Sequence, residues 1–549
     1  MTRSNEPLLS SPSQRDGHPC KVILVTLTLS LATLLCVVAA CFLLPNPATP
    51  DLCRSSPDPA TCHAIVADAV LASQTPHPTP PVQVLRAILA RSLHQHDAAA
   101  SALAGMHRRA VSDRSGQRAP LADCILLLEL ARDRLADAAV ARHEDDARTW
   151  LSAVLTDHVT CLDGLDDDDQ PLRDVVGAHL EPLKSLASAS LAVLNTVSSD
   201  DARDVLQLAE AVDGFPSWVP TRDRALLEGG GERAVEADVV VAKDGSGRYK
   251  TVKEAVDAAP ENKGRRYVIR VKKGVYKENV EVGRKKRELM IVGDGMDATV
   301  ITGSRNVVDG ATTFNSATLA VAGDGIILQD LKIENTAGPE KHQAVALRVS
   351  ADRAVISRCR VDGYQDTLYA HQLRQFYRGC FVSGTVDFVF GNAAAVLQDC
   401  TLAARRPMRA QKNAVTAQGR EDPNQNTGTS LQRCRVVPGR DLAPVAQAFP
   451  TFLGRPWKAY SRTVYMQSFL GPHVDPKGWL EWDGEFALRT LFYGEYQNEG
   501  PGAGTAGRVR WPGYHVITDR AVALQFTVGK FIQGGRWLKD TGVDYDEGL

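Results

Sequence analysis

No two of the eleven cysteines in this 549-residue chain stand in Cys-x-x-Cys spacing, which argues against a zinc site of the finger or ribbon kind. No Asn-x-Ser/Thr acceptor occurs, and that leaves export undecided. The net charge is only −2, too small to point to a partner by itself, and nothing in the pattern calls for nucleic acid. Charge is absent altogether from Val22 to Pro45, a run long enough to span a bilayer. Arg3, Arg15 and Lys21 precede that run, so the leader 1–21 is expected on the cytosolic side and the remainder in the secretory pathway. The long polar leader favours an uncleaved anchor at 22–45, a type II arrangement before processing. Ala39 and Ala40 are the competing sign of a cleaved signal peptide.

A chain this long needs more than one core. Residues 51–237 carry 17 basic and 29 acidic side chains, whereas residues 238–549 carry 43 and 34. The first region is therefore net acidic and the second net basic, which suits the second to a polyanion. Residues 51–213 are Ala/Leu-rich with helical spacing. Leu121, Ile125, Leu128 and Leu135 form one stripe, and Trp150, Val154 and Cys161 form another. Such stripes predict an antiparallel helical bundle and, being core, carry no chemistry. Residues 214–237, with two prolines and three consecutive glycines, read as a linker. Within it Arg224-Ala225-Leu226-Leu227 suggests a processing site for a protease.

Beyond residue 238 short β-rich runs replace helices, except where Thr251-x-x-Glu254 predicts a capped helix. The segments 326–335, 354–363, 374–384, 395–404 and 429–438 share one frame, centred on Leu331, Cys359, Cys380, Cys400 and Cys434. The closer repeats leave no room for a helix between strands, which excludes a TIM barrel and fits a parallel β-helix. Residues stacked at one frame position lie about 4.8 Å apart, a separation a disulfide tolerates. Cys359–Cys380 with Cys400–Cys434 is the expected pairing, and Cys380–Cys400 is also sterically sound. Eight cysteines beyond the apolar run, four in each region, fit an oxidising compartment.

The same coil length brings Gln343, Gln365, Asp366 and Asp387 to one face, flanked by Tyr364, Tyr369, Phe388 and Phe390. Two carboxyls and two amides are a kit for acyl chemistry: a nucleophile, an acid and donors to an oxyanion. A glycoside hydrolase and a silent polymer-binding protein are the rival readings. The glycosidase needs two carboxyls but not paired amide donors.

The motifs "GVYKE" (274–278), "QAVALRV" (343–349), "YQDTLYAHQLRQFYRGCFVSGTVDFVFG" (364–391) and "LGRPWKAYSRTV" (453–464) resemble plant pectin methylesterases, over nearly all of 238–549. Residues 51–213, through "TWLSAVLTDHVTCLDG", resemble the pectin methylesterase inhibitor fold. The resemblance implies a four-helix bundle followed by a right-handed parallel β-helix. It also implies hydrolysis of methyl esters in homogalacturonan in the plant cell wall, with no cofactor. It gives Asp387 the role of nucleophile, Asp366 that of general acid and then base, and Gln365, with Gln343, that of oxyanion stabiliser. Arg455 would pair with Asp387 and depress its pKa, and burial would raise that of Asp366. Thr313, Gln343, Arg455 and Trp457 would contact substrate, with Gly454 permitting close approach. The resemblance further implies disulfides Cys53–Cys62 and Cys124–Cys161, inhibitor proteins as partners, and a bundle that acts as an intramolecular brake or as a folding or sorting domain. The linker departs from the family, which more typically has a basic pair before Leu-Leu.

Overall fold

The Ala/Leu-rich region folds as its periodicity predicts, into helices α1 (Pro59–Ser73), α2 (Pro81–Ser112), α3 (Arg118–Ala139), α4 (Glu144–Asp163) and α5 (Gln170–Leu194). In this computed structural model the described residues are 51–73, 79–112, 116–165, 170–197, 236–262 and 264–549. The leader, the apolar run 22–45 and the motif Arg224–Leu227 lie outside them, as does nearly all of the linker. Among the described residues no helix is long and apolar enough to cross a membrane.

Helices α2 to α5 each pack on two neighbours, α2 on α3, α3 on α4, α4 on α5 and α5 back on α2, which is the ring of contacts of a four-helix bundle. Leu121, Leu128 and Leu135 are buried in it, and Ile125 is partly so. Disulfides join Cys53 to Cys62 and Cys124 to Cys161, the second tying α3 to α4. Helix α4 differs from the others in being buried on almost every side. A helix with no solvent face must have a partner on each flank; here the second partner is the β-helix, within one unit running from Leu52 to Leu549.

The C-terminal region is a parallel β-helix. Three sheets of eleven, seven and eight strands run its length, pairing in parallel throughout. The repeat read from the sequence is the structural repeat: Arg360 aligns with Lys332 and Phe381, Phe381 with Thr401, and Thr401 with Arg435. Leu331 and the four cysteines therefore form one ladder, one residue N-terminal to those pairs. The chain bends sharply just before each of them, where Asp330, Arg358, Gly379, Asp399 and Arg433 hold φ between 49° and 58°. The helix expected after Thr251 spans Val252–Ala258 and carries the full capping box. A large buried cluster built wholly from this region, from Val239 to Tyr493, gives the β-helix its own core.

The cysteine ladder corrects one expectation. Cys359, Cys380, Cys400 and Cys434 are buried free thiols. The stacking that brings them together also offers each sulfur a carbonyl of the preceding coil. The Cys380 thiol donates to Ile356 O (3.3 Å), that of Cys400 to Tyr377 O (3.6 Å) and that of Cys434 to Leu397 O (3.3 Å). The thiols are accommodated as small, weakly donating core residues.

Candidate active site

The seven-stranded sheet supplies the floor of the site. Its strands are β1 (Val280–Val282), β2 (Leu319–Val321), β3 (Leu347–Val349), β4 (Leu368–Ala370), β5 (Val389–Gly391), β6 (Asn413–Gln418) and β7 (Thr451–Pro456). Alternate residues point inward, as Leu347, Leu368 and Val389 do. The outward row reads Glu281, Ala320, Arg348, Tyr369, Phe390, Ala417, Arg455, each opposite the next. Tyr369 and Phe390 stack with ring centroids 4.2 Å apart, and Trp457 lies beside them, 6.0 Å from Phe390.

The turns entering this sheet carry the carboxyls. The register of β4 on β5 makes Asp366 and Asp387 equivalent positions of successive coils. Both have left-handed backbone, φ 63° and 53°. That conformation is costly for a residue with a side chain, though Asp tolerates it better than most, and here, as on the cysteine ladder, it recurs at the same position of successive coils. Gln343 and Gln365 pair one coil earlier through a bridge of their own. All four side chains, with Thr313, Arg455 and Trp457, line one cavity of about 1010 Å³. The structure thus brings the sequence-predicted residues of the β-helix to a single place.

Arg455 grips Asp387 with two parallel hydrogen bonds, Nε to Oδ1 at 2.8 Å and Nη2 to Oδ2 at 2.7 Å. This planar fork fixes the carboxylate's orientation. Burial pushes the Asp366 carboxyl well above the usual range, and the charge of Asp387 adds to that. Asp387 was expected to be depressed; it is instead raised, because burial outweighs the Arg455 pair. The asymmetry between the two carboxyls remains, since only Asp387 has the arginine in hydrogen-bonding contact.

Sequence reasoning missed several supports. Trp482, exposed on its far side, lies 4.3 Å from the Arg455 guanidinium and backs it. Gly419 seats Trp457: a Cβ there would meet the indole at 2.7 Å. Gly454 has a different use from the one expected, because its missing Cβ makes room for Thr416 of the neighbouring coil, at 2.1 Å, rather than for a sugar.

The opposite wall of the cavity is the bundle. Thr160, Asp163, Gly164 and Leu165, at the C-terminal end of α4, line it together with Gln117, just before α3, and Pro120 in its first turn. Thr160 Oγ1 bonds His371 Nε2 at 3.0 Å, and Lys458, next to Trp457, pairs with Asp163 at 2.7 Å. Phe314, Tyr369, Phe390 and Ala417 share one buried apolar cluster with Leu162 and Leu165.

Residues 238–535 match the family model described as pectinesterase, and residues 48–193 match that described as plant invertase/pectin methylesterase inhibitor. A tomato (Solanum lycopersicum) protein named pectinesterase 2.2 is 53% identical over 91% of this chain and 90% of its own. An Arabidopsis thaliana protein named pectinesterase/pectinesterase inhibitor 18 is 48% identical over the whole of both. The solved pectin methylesterase from carrot is 58% identical, with a TM-score of 0.57, and matches over 58% of this chain and all of its own, a length corresponding to the β-helix alone. The carrot protein thus has the extent of the β-helix, which in this chain has a core of its own. The chain belongs to the pectinesterase family and carries, ahead of its pectinesterase domain, a domain of the plant invertase/pectin methylesterase inhibitor family.

Proposed function

We propose that the β-helix removes methyl groups from the galacturonate esters of pectin, releasing methanol, and that the bundle keeps the cleft closed until the two are separated. One Asp387 oxygen attacks the ester carbonyl carbon, and the resulting oxyanion accepts hydrogen bonds from the Gln365 and Gln343 amides. As the tetrahedral intermediate collapses, the Asp366 carboxyl gives its proton to the departing methoxy oxygen, leaving an acyl-enzyme anhydride on Asp387. The Asp366 carboxylate then takes a proton from water, whose oxygen attacks the acyl carbon. Asp387 leaves as carboxylate, and Asp366 is again protonated. Trp457 and the Tyr369–Phe390 stack offer apolar faces to the sugar rings.

The observation that carries this reading is the equivalence of the two aspartates, one clamped by Arg455 and the other with its pKa pushed well up by burial and by its neighbour's charge. That is the division of labour an acyl-transfer pair needs. The cell wall as place of action and release by cleavage near Leu227 belong to the same proposal. Inhibitor-domain proteins of other chains would compete for the cleft that α4 covers.

The test is methanol release from highly methylated pectin by the chain from residue 228 onward and by its Asp387→Asn variant. The account expects the substitution to lower kcat by about a thousandfold or more, the scale of a lost nucleophile. An Asp387→Asn variant that retains full turnover removes the assignment. Reducing ends released instead of methanol would favour the glycosidase.

A further inference from the structure

Arg348 stands in the outward row of the cleft sheet, on β3, and nothing in the mechanism uses it. It is buried, at 4% exposure, yet among the described residues it forms no ion pair. Its Nε has no hydrogen-bond partner, one Nη donates to Ser350 Oγ at 3.2 Å, and the guanidinium lies 3.5 Å over the Phe314 ring. Facing it from α4 is Asp157, fully buried, with both carboxyl oxygens unpartnered. The Gln372 amide lies against that carboxyl but short of hydrogen-bonding geometry, for its own two polar atoms are also without partners. A cation and a carboxyl are thus both taken out of water on the two sides of the seam, neither with an ion-pair partner among the described residues, while Glu281, two strands along the same row, and Asp123 of α3 act on Arg348 more strongly than Asp157 does.

Burying a guanidinium without a carboxylate is expensive, and an apolar residue of similar size would serve packing better. The cost makes sense if Arg348 has a partner in a second state. Removing the bundle takes Asp157, and Asp123 of α3, away from this face. It leaves Arg348 in the row that continues through Tyr369 and Phe390. Arg348 then stands two strands from the coil that bears Asp387, roughly 9–10 Å along the cleft at the usual strand spacing.

We propose that Arg348 is a specificity-determining subsite that binds the free carboxylate of a uronate unit near the scissile ester, and that the docked bundle, which brings Asp123 and Asp157 to this face, covers it. The inference rests on the esterase reading for its substrate class. Phe314 supplies a flat apolar bed for the guanidinium, whose unpartnered Nε edge suits a carboxylate in two-pronged geometry.

The experiment measures binding of a fully de-esterified oligogalacturonate, and of its fully methyl-esterified counterpart, by calorimetry. It uses the chain from residue 228 onward and its Arg348→Gln and Arg348→Lys variants. Arg348→Gln should weaken the de-esterified oligomer about tenfold, the scale of one charge-assisted contact, and should flatten the salt dependence of its binding. Arg348→Lys should recover part of the loss, and the methyl-esterified oligomer should lose several-fold less. The chain 51–549 should bind the de-esterified oligomer at least tenfold more weakly than the shorter chain. Equal losses on both oligomers, with a lowered melting temperature, would assign Arg348 to packing and overturn the proposal, as would no loss on either. Failure of the esterase reading shows separately, as absence of methanol release by the unsubstituted chain.

Discussion

Where α3 and the start of α4 cross the early coils of the β-helix, charges meet; where the middle of α4 crosses the later coils, amides and hydroxyls meet. In the first seam Arg134 holds Asp324 at 2.5 and 3.0 Å, Arg284 reaches back to Asp133 and Asp137 at 2.7 Å, and Arg374 joins Asp146 at 2.7 Å. In the second, Asn392 donates to Thr156 (2.8 Å), Gln425 to Ser152 O (2.9 Å) and Asn426 to Thr149 (2.8 Å). The arginines of the first seam are almost wholly buried, so removal of one partner strands the other without water. The bonds of the second seam are neutral and nearly balanced against solvent, each worth about 1 kcal/mol net. The charged seam therefore holds the bundle, and the neutral seam fits it over the cleft.

That division can be broken at its strong end first. Arg134→Ala in the chain 51–549 leaves Asp324 only its longer charge contacts to Arg284 (3.6 Å) and Arg287 (3.8 Å), at a cost of roughly 3 kcal/mol. The closed form should lose about a hundredfold in favour. Methanol release should rise towards that of the chain from 228 onward, and a variant that stays silent would show that the charged seam is not the clasp.

A second break uses pH. Burial raises the carboxyls of Asp123 and Asp157, on α3 and α4, whereas their arginine partners hold Asp324 and Asp352 below the usual range. For the raised pair, stability present below the ordinary carboxylate pKa is lost as pH climbs through the folded values. For the depressed pair, stability present above the ordinary pKa is lost as pH falls through the folded values. Closure should thus be firmest in mildly acidic solution. Asp157→Asn should extend it to higher pH, read as the pH at which the chain 51–549 begins to release methanol. An unmoved onset would take Asp157 out of the balance.

The smallest effect belongs to the neutral seam. Thr156→Val removes the hydroxyl that Asn392 and Gln425 approach and should loosen closure by about 1 kcal/mol, a few-fold in residual activity. A loss equal to that of Arg134→Ala would erase the distinction between the seams.

The coils were legible because a stacked repeat writes its register into the sequence: the frame around Leu331 and the cysteines is the ladder observed. Asp366, Asp387, Gln343 and Gln365 were legible for the same reason. What the pattern did not reveal depends on the covering partner. The direction of the Asp387 shift turns on how deeply the cleft is buried, and no local signal gives that. Arg348 lies inside the quoted "QAVALRV" run, where a cation on an outward strand position reads as a solvated charge. On α4, Thr149, Ser152, Thr156 and Thr160 recur at helical spacing on a helix that also carries a full apolar stripe, and that doubling was the available sign of a second buried face. The free cysteines show the limit of distance arguments: stacking permits a disulfide without requiring one.

The central claim, a competent esterase site closed by its own bundle, is tested most directly by methanol release from highly methylated pectin by two chains, residues 51–549 and 228–549. The account predicts that the shorter chain is active and the longer one nearly silent. Equal activity of the two would contradict closure by the bundle, and silence of both, with each folded, would contradict the esterase site itself.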